Sequence, residues 1–364
     1  MKKALKTAFL YIGTMVGAGF SSGREIALFF GGLTPLNVAL SAVFMSAFAL
    51  LFLTAGKLKI VPNGRLTRFL IFFSASISLV SMLAGGEYVM RSMTTIPLLA
   101  LVMAILAVIV VSQGIEKIKV ANAILVPLIV LSVAILYFKV GASNGSLPFS
   151  LSKPILYSGL DVLLGGVIVS SEGEDMKYGE IFGACAVICA SLFAMLFMLQ
   201  TVVLADKNDS LMPVFAISRE FHLQAICGIL IAAAIFTTLI SSLKITSDYL
   251  ANLALCTSKT SFLAKDENKS VVVMFCLVIA YPFSFFGFKN IVNTMYPINS
   301  VLGILLALAT LMKLLTFFVK NARRKPSLQR PHSVPVHYAI KSEPTLSRQK
   351  KRPRHTAEPL KNPK

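Results

Sequence analysis

The chain has 364 residues, of which 56% are hydrophobic and only 14% charged, and its mean hydropathy is +0.77. Soluble domains carry about 25% charged residues, so a chain this apolar cannot cover its hydrophobic residues with polar surface. This composition excludes a soluble enzyme, a disordered protein and a small disulfide-stabilised secreted module. The net charge is +19, and +11 of it falls in residues 320–364. An anionic membrane surface explains this excess better than nucleic acid, so no nucleic-acid partner is expected.

Ten apolar segments follow one another along the chain, each close to the length of about 20 residues that crosses a bilayer. They are residues 4–30, 34–56, 69–92, 96–114, 118–138, 154–177, 179–204, 224–252, 270–288 and 291–319. The segments predict an all-α integral membrane protein in which residues 1–319 form a ten-helix core in contact with the lipid bilayer. Residues 320–364 are basic and proline-rich, which predicts a disordered cytoplasmic tail.

The distribution of basic residues predicts the orientation. With the N-terminus in the cytoplasm, the cytoplasmic segments before the tail carry 13 Lys and Arg, and the outer segments carry six. This asymmetry follows the positive-inside rule. An even number of spans returns the tail to the cytoplasm, so we expect a multi-pass protein of the plasma membrane with both termini cytoplasmic.

The first segment contains four glycines within eleven residues near mid-membrane: Gly13, Gly17, Gly19 and Gly23. They indicate either close helix packing, for which Gly19 and Gly23 have the small-xxx-small spacing, or a helix that stops and restarts. Ser22 and Glu25 have the spacing of a capping box, which favours a second helix beginning there. The amide groups of a restarted helix would suit an anion such as a carboxylate.

The sixth segment carries a similar irregularity at Gly165-Gly166, and Ser171 and Glu174 repeat the capping-box spacing. Interrupted helices at matching positions of two halves indicate a transporter site. Five segments in each half give the halves opposite orientations, as an inverted repeat requires. We therefore expect repeat one in residues 1–138 and repeat two in residues 154–319.

A resemblance to a known family rests on residues 13–26, GTMVGAGFSSGREI, and on Tyr296-Pro297 in the tenth segment. The run resembles the first helix of YkvI-type bacterial membrane proteins. That family resembles the amino acid–polyamine–organocation superfamily, and Gly17-Ala18-Gly19 is similar to the superfamily's helix break. The resemblance covers residues 1–319. It implies a LeuT-like fold, with ten transmembrane helices in a 5+5 inverted repeat and interrupted helices 1 and 6.

The resemblance also implies a sodium site in some members, built from carbonyls before the break and hydroxyls on helix 8. The matching carbonyls here are those of Gly13 and Val16. The helix 8 pattern is matched by Ala234, Thr237 and Thr238, and again one turn later by Thr238, Ser241 and Ser242. Oxygen ligands suit a hard cation, although such hydroxyls also bond to helix backbone. No cofactor is expected beyond Na⁺ as a coupling ion.

Two further groups of residues are candidates for function. The predicted solute site comprises Gly17, Ala18, Gly19, Phe20, Ser21, Ser22, Gly165 and Gly166. Ionisable residues inside spans are costly, which makes Arg24, Glu25, Glu87, Asp161, Lys244 and Asp248 candidates for gating or coupling. Arg24 would pair with Glu87 in an outer gate, or else reach headgroups while Glu25 caps its helix. Lys244 and Asp248 form either a simple i,i+4 salt bridge or a proton-coupling pair.

These features predict a secondary active transporter of a small solute, amino-acid-like and carboxylate-bearing, coupled to Na⁺ or H⁺ by alternating access. The alternatives are a non-transporting receptor or sensor subunit on the same fold, similar to the membrane subunit of spore germinant receptors, and a structural scaffold. The chain lacks the phosphate-binding loop and HExxH motifs, so we do not expect an enzyme. The sequence identifies no oligomeric partner.

Overall fold

The computed structural model describes residues 2–94, 99–113, 116–141, 148–255 and 269–323. Regular structure in these ranges is helical throughout, which confirms the all-α prediction for this part of the chain. In chain order the helices are α1 (Lys2–Met15), α2 (Ala18–Ser22), α3 (Arg24–Phe30), α4 (Pro35–Lys57), α5 (Arg65–Met93), α6 (Leu99–Gln113), α7 (Glu116–Val140), α8 (Ser152–Leu160), a π-helical segment (Val162–Gly166), α9 (Val167–Gly173), α10 (Tyr178–Ala205), α11 (Pro213–Glu220), α12 (Gln224–Leu255), α13 (Lys269–Ser284) and α14 (Phe288–Arg323). Nearly all of the predicted tail, residues 324–364, lies outside the described residues.

Five helices are long and apolar enough to cross a bilayer: α4, α5, α10, α12 and α14. The helices α6 and α13 and the second part of α7 are shorter and also apolar. Large apolar side chains such as Phe138, Leu66 and Met312 are exposed on the helix surfaces, where lipid can cover them. The chain is therefore a multi-pass membrane protein. That there are ten spans arranged as an inverted repeat stays a prediction.

The helices of Met1–Lys320 pack into one compact unit. Within it α12 packs against α5, α6, α7 and α13, while α10 packs against α1, α4 and α7. Glycines allow the closest approaches: a Cβ on Gly56 or Gly173 would meet the backbone carbonyl of Ser170 or Leu53, so α4 and α9 touch along their main chains. Such close contacts between small residues are typical of membrane helices.

The first segment is interrupted twice. Helix α1 ends at Met15, and Gly17 has an extended backbone (φ −106°, ψ −165°) before α2 begins at Ala18. Gly23 then adopts φ +79°, a left-handed conformation that favours glycine, and α3 begins at Arg24. The break thus falls within the predicted glycine run, and a second bend follows it.

The predicted capping boxes do not form. Ser22 is the last residue of α2, because the N–H of Gly23 donates to the carbonyl of Phe20 (3.0 Å) in a left-handed helix end. The hydroxyl of Ser22 donates to the carbonyl of Gly19 (3.2 Å). A second helix does begin beside Ser22, at Arg24, and the N–H of Arg24 donates to the hydroxyl oxygen of Ser22 (3.3 Å). The predicted restart is therefore confirmed, but Glu25 makes no capping hydrogen bond, so the complete capping box is not formed.

The sixth segment is also interrupted, by a different device. Helix α8 ends at Leu160, and the π-helical segment Val162–Gly166 joins it to α9. Ser171 lies inside α9 and its hydroxyl donates to the carbonyl of Ile168 (2.7 Å), so it does not cap a new helix with Glu174. The interruption contains the predicted Gly165-Gly166 pair, whereas the second capping box is wrong.

Candidate binding cavity between the interrupted helices

A cavity of about 50 Å³ lies where the break between α1 and α2 meets the end of α8. Its lining comes from both interrupted segments and from α5, α12 and α14: Thr14, Met15, Gly17, Glu25, Ser74, Ile77, Ser78, Met82, Leu160, Asp161, Thr238, Tyr296 and Asn299. A water molecule needs about 10–15 Å³ on a comparable measure. The cavity therefore has room for a few waters or for one small polar group.

Two carboxyl groups dominate the charge of this cavity. Glu25, on α3, is 6% exposed, and its side chain folds back over Gly19. Asp161 follows the last residue of α8, and its Oδ2 atom is buried without a hydrogen-bond partner. Among the described lining residues there is no Lys, Arg or His. The cavity is therefore acidic, and the C-terminal end of α8 adds further negative potential near Asp161.

Neutral oxygens complete the polar part of the lining. Asn299 donates from Nδ2 to the carbonyl of Leu160 (3.5 Å), which leaves its buried Oδ1 without a partner. The buried hydroxyl of Ser74 is also unpartnered, whereas the hydroxyl of Tyr296 lies 3.0 Å from that of Ser81. Sequence reasoning missed Ser74 and Asn299. The available signal for Asn299 was its position in the same segment, three residues after Tyr296 and two after Pro297.

Of the predicted solute residues in the first segment, Gly17 lines the cavity, while Ala18–Ser22 form the helix that follows the break. The hydroxyl of Ser21 donates to the carbonyl of Gly17 (2.7 Å), and Phe20 is buried. The structure does not describe the side chain of Ala18. Gly19 faces Glu25, so the space beside its Cα is filled by one of the protein's own carboxylates.

The predicted pair Gly165-Gly166 packs against neighbouring helices. A Cβ on Gly165 would lie 3.0 Å from the hydroxyl oxygen of Thr14, and one on Gly166 would lie 3.0 Å from the ring of Phe52. Neither glycine belongs to the cavity lining. In this conformation their visible role is to let the π-helical segment approach α1 and α4.

The predicted ion-binding residues on α12 differ in what their hydroxyl groups contact. Thr238 lines the cavity, and its hydroxyl oxygen is 3.4 Å from the position that a Cβ on Gly17 would occupy. The hydroxyl of Thr237 instead donates to the carbonyl of Ala234 (3.1 Å), and that of Ser241 donates to the carbonyl of Thr237 (3.0 Å). In the other register, Ser242 donates to the hydroxyl of Ser78 (3.0 Å).

The carbonyl candidates lie on the α1 side of the break. Gly13 belongs to α1, whereas Val16 lies just beyond its end and is buried. The N–H of Val16 still donates to the carbonyl of Ile12 (3.2 Å), so the helical pattern persists to that residue. Whether these carbonyls hold Na⁺ stays a prediction.

Arg24 enters a separate ionic cluster, which we call the Arg24 latch and define as Arg24, Asp209, Lys289 and Asn293. The side chain of Arg24 is 5% exposed, and its Nη1 donates to Oδ1 of Asp209 at 2.6 Å. Nη2 of Arg24 donates to Oδ1 of Asn293 (3.0 Å), and Lys289 donates to Oδ2 of Asp209 (2.6 Å). The hydrogen bonds and charges of Lys289 and Arg24 hold the pKa of Asp209 below its ordinary value of 3.8.

The predicted pair of Arg24 with Glu87 is wrong. Glu87 accepts a hydrogen bond from Arg91, one turn further along α5, because i,i+4 neighbours on a helix are already in reach. The alternative is also wrong: Arg24 is buried in the latch, and Glu25 lines the cavity and does not cap α3.

Lys244 and Asp248 form the simple salt bridge that was one of the two predictions for them. Both side chains are partly exposed, and neither residue lines the cavity. The structure therefore gives this pair no connection to the binding cavity.

Comparisons with known proteins give distant relatives. No family model matches the chain. It is 24% identical over 345 residues to the uncharacterized protein YyaD of Bacillus subtilis (strain 168), covering 85% of this chain and 97% of YyaD. It is 23% identical over 337 residues to the uncharacterized membrane protein YkvI of the same organism, covering 81% and 91%. Assignment to the YkvI type and to the wider superfamily stays a prediction.

Among solved structures, the chain is similar to two crystal structures of a manganese transporter of Eremococcus coleocola. A mutant form has a TM-score of 0.47 at 15% identity, covering 90% of this chain and 88% of that one. A complex with an aromatic bis-isothiourea substituted compound has a TM-score of 0.45 at 13% identity, covering 89% and 88%.

Proposed function

We propose that the protein is a secondary active transporter that moves a small solute across the bacterial plasma membrane by alternating access. The observation that carries this proposal is the polar cavity at the junction of two interrupted helices within an apolar bundle. Irregular backbone at membrane depth is tolerated where it lines a cavity, and a scaffold would have no need of one.

The packing of the helices supports a 5+5 inverted repeat. If the ten segments form two repeats, α4 in the first repeat is equivalent to α10 in the second. In the same way α5 is equivalent to α12, and α6 to α13. The two helices of each pair pack directly on each other: α4 on α10, α5 on α12 and α6 on α13. Contact between equivalent helices is what a pseudo-two-fold axis through the bundle would produce, and the two interrupted segments flank the same cavity.

The polar contacts between distant segments support the proposed topology. Lys3 with Asp175 and Lys59 with Glu174 join segments that we place in the cytoplasm. The Arg24 latch and the hydrogen bond from Arg219 to the carbonyl of Ser92 join segments that we place outside. No described ion pair links the two sides, as ten spans with both termini cytoplasmic would require.

This topology can be tested by labelling single cysteines in a Cys-free background in intact cells. Asn208→Cys, in the loop after α10, is expected to react with a membrane-impermeant thiol reagent. Asp175→Cys, in the loop before α10, is expected to react only after permeabilisation. Both positions are exposed, so the opposite pattern of labelling would contradict the proposed orientation.

The solute and the coupling ion are proposals of finer detail. We propose an amino-acid-like solute, whose carboxylate would approach the main chain at Gly17–Ser22. Na⁺ would bind the carbonyls of Gly13 and Val16 together with the hydroxyl of Thr238, or else H⁺ would be carried by Glu25 and Asp161. The position of Thr238 beside Gly17 supports the first route, and the two buried carboxyls support the second.

The deciding experiment is uptake of a panel of radiolabelled amino acids and amines into proteoliposomes, under a Na⁺ gradient and a proton gradient applied separately. A transporter is expected to concentrate at least one solute under one gradient, and Asp161→Asn is expected to lose that uptake. Asp175→Asn, which neutralises a carboxylate in an exposed loop, serves as the matched control. Specific binding of a solute without any flux would favour the sensor alternative.

A further inference from the structure

We propose that the cavity recognises the ammonium group of a small amine, with Glu25 and Asp161 as its counter-ions and Asn299 as a neutral acceptor. The proposal rests on the cavity being the solute site of the proposed transporter, and it names the chemical group that this site selects. The glycine-rich break in the first segment, by contrast, predicts that the solute's carboxylate is the recognised group.

The charge of the cavity is the first argument. Two carboxyl groups line the same cavity, and no described basic side chain lines it with them. Arg24 is the neighbour of Glu25 in the chain and carries the opposite charge. Its guanidinium is bonded to Asp209 and Asn293 in the latch and does not line the cavity. An ionised carboxylate at membrane depth is costly unless a proton or a cation neutralises it, so a positively charged occupant stabilises the ionised form of these two groups.

The orientation of Asn299 is the second argument. The carbonyl of Leu160 can only accept a hydrogen bond, so the amide nitrogen of Asn299 must face it. This fixes Oδ1 of Asn299 as the free atom, and it is buried without a partner in a residue that is 6% exposed. A buried acceptor without a donor is unfavourable, and the hydroxyl of Ser74 adds a second unpartnered oxygen to the same lining.

The number and kind of ligand atoms select among cations. An ammonium group carries three donors and no acceptor, which matches two carboxylates and one carbonyl oxygen. The described ranges contain no group of three or more His, Cys, Asp or Glu side chains, the ligand set typical of a structural transition-metal site. Met15, Ile77 and Met82 form an apolar wall beside the oxygens, suited to a short alkyl chain.

A carboxylate is the less suitable partner for this cavity. The space next to Gly19, which an anion would need in order to approach the start of α2, is filled by the side chain of Glu25. A second carboxylate brought there would lie against Glu25 and near Asp161, and like charges at close range repel.

The test is binding to the purified full-length protein in lipid nanodiscs, measured by calorimetry in Na⁺-free buffer. The probes are n-butylamine, butyrate and 2-aminobutyrate, which share a carbon chain and differ in their charged groups, with NaCl as a fourth titrant. Saturable binding is expected for butylamine and none for butyrate. Binding of butyrate, of 2-aminobutyrate without butylamine, or of Na⁺ with none of the amines would overturn the proposal.

Two isosteric variants test the named counter-ions. Glu25→Gln and Asp161→Asn are each expected to weaken butylamine binding about tenfold to a hundredfold, the range for hydrogen bonds to a charged group. Each variant removes a buried charge, so each is expected to have a thermal unfolding midpoint no lower than that of the unmodified protein. Asp175→Asn should leave the affinity unchanged. Unchanged butylamine affinity in both cavity variants would overturn the assignment.

Binding and transport can fail separately, which keeps the two proposals distinguishable. Butylamine binding without any flux in proteoliposomes would leave the ammonium site standing and refute the transporter. Concentrative uptake of a carboxylate, together with absent binding of butylamine, would support the transporter and refute the ammonium site.

Discussion

The guanidinium of Arg24 and the carboxylate of Asp209 lie 2.6 Å apart, although 185 residues separate them in the chain. The next residue, Glu25, lines the binding cavity. Two consecutive residues of α3 therefore belong to different sites, Arg24 to the latch and Glu25 to the cavity. Both residues come directly after the left-handed turn at Gly23. Any rearrangement of α3 that moves Glu25 must also disturb the contacts of Arg24.

The first prediction concerns the strength of the latch. Asp209→Asn is expected to lower the free energy of unfolding by about 1–2 kcal/mol at pH 7. This exceeds the range for exposed ion pairs because the substitution leaves a buried guanidinium without its charged partner. Asp248→Asn breaks a partly exposed i,i+4 pair and should cost only about 0.3–0.5 kcal/mol. Equal losses in the two variants would contradict a special role for the latch.

The same pair predicts a dependence on pH. Lys289 and Arg24 lower the pKa of Asp209 in the folded protein, so its ionised form stabilises the fold at pH values above its ordinary pKa of 3.8. That contribution is lost as the pH falls through the lowered pKa. The difference in unfolding midpoint between the unmodified protein and Asp209→Asn should therefore shrink on acidification. A difference that grows at low pH would show that Asp209 acts in another way.

A second prediction isolates the packing at the turn before α3. Gly23 and Gly32 both have positive φ, +79° and +75°, so alanine at either position is expected to cost about 1–2 kcal/mol in backbone strain. A Cβ on Gly23 would also meet Val203 at 2.8 Å and Val214 at 2.9 Å, whereas nothing lies within 4 Å at Gly32. Gly23→Ala should therefore lower the unfolding free energy by about 1–3 kcal/mol more than Gly32→Ala. Thermal unfolding of the two variants measures this difference.

The segments and their interruptions were accessible to sequence reasoning because length, apolarity and glycine clusters are local properties. The break near Gly17 and the irregularity at Gly165-Gly166 both follow from such local signals. The partner of Arg24 does not, because Asp209 comes from a loop that only the folded bundle brings to α3. The inward direction of Glu25 likewise depends on the φ of Gly23. Asn299 lines the cavity because of the way α14 is rotated about its axis. The sequence of a span without a strongly polar face does not specify that rotation.

A third prediction compares the two glycines of the break. Alanine at Gly17 would make ordinary contacts of 3.4 Å with Thr238 and 3.6 Å with Met82, so uptake and butylamine binding should be largely retained. Alanine at Gly19 would overlap the side chain of Glu25 and force it away from its position. We expect Gly19→Ala, and still more Gly19→Val, to weaken binding about tenfold or more, as loss of a charged ligand group would.

A double variant would distinguish between two ways in which Gly19 could act. If Gly19→Ala works by displacing Glu25, it should add little to the effect of Glu25→Gln when the two are combined. Additive effects in the double variant would mean that Gly19 contributes through its own contact with the solute. Full binding in Gly19→Val would show that neither mechanism applies.

The last prediction concerns the coupling ion. Thr238→Val keeps the shape of the side chain and removes one hydroxyl oxygen from the cavity lining, so it should weaken the Na⁺ dependence of uptake more than the selectivity among solutes. Ser241→Ala is the matched control, because that hydroxyl is bonded to the carbonyl of Thr237 and does not line the cavity. Initial uptake rates at graded Na⁺ concentrations measure both variants. A loss of Na⁺ dependence in Ser241→Ala but not in Thr238→Val would place the ion one turn further along α12. Unchanged dependence in both would assign coupling to the carboxyls, since a site that binds Na⁺ through a hydroxyl cannot lose that oxygen without consequence.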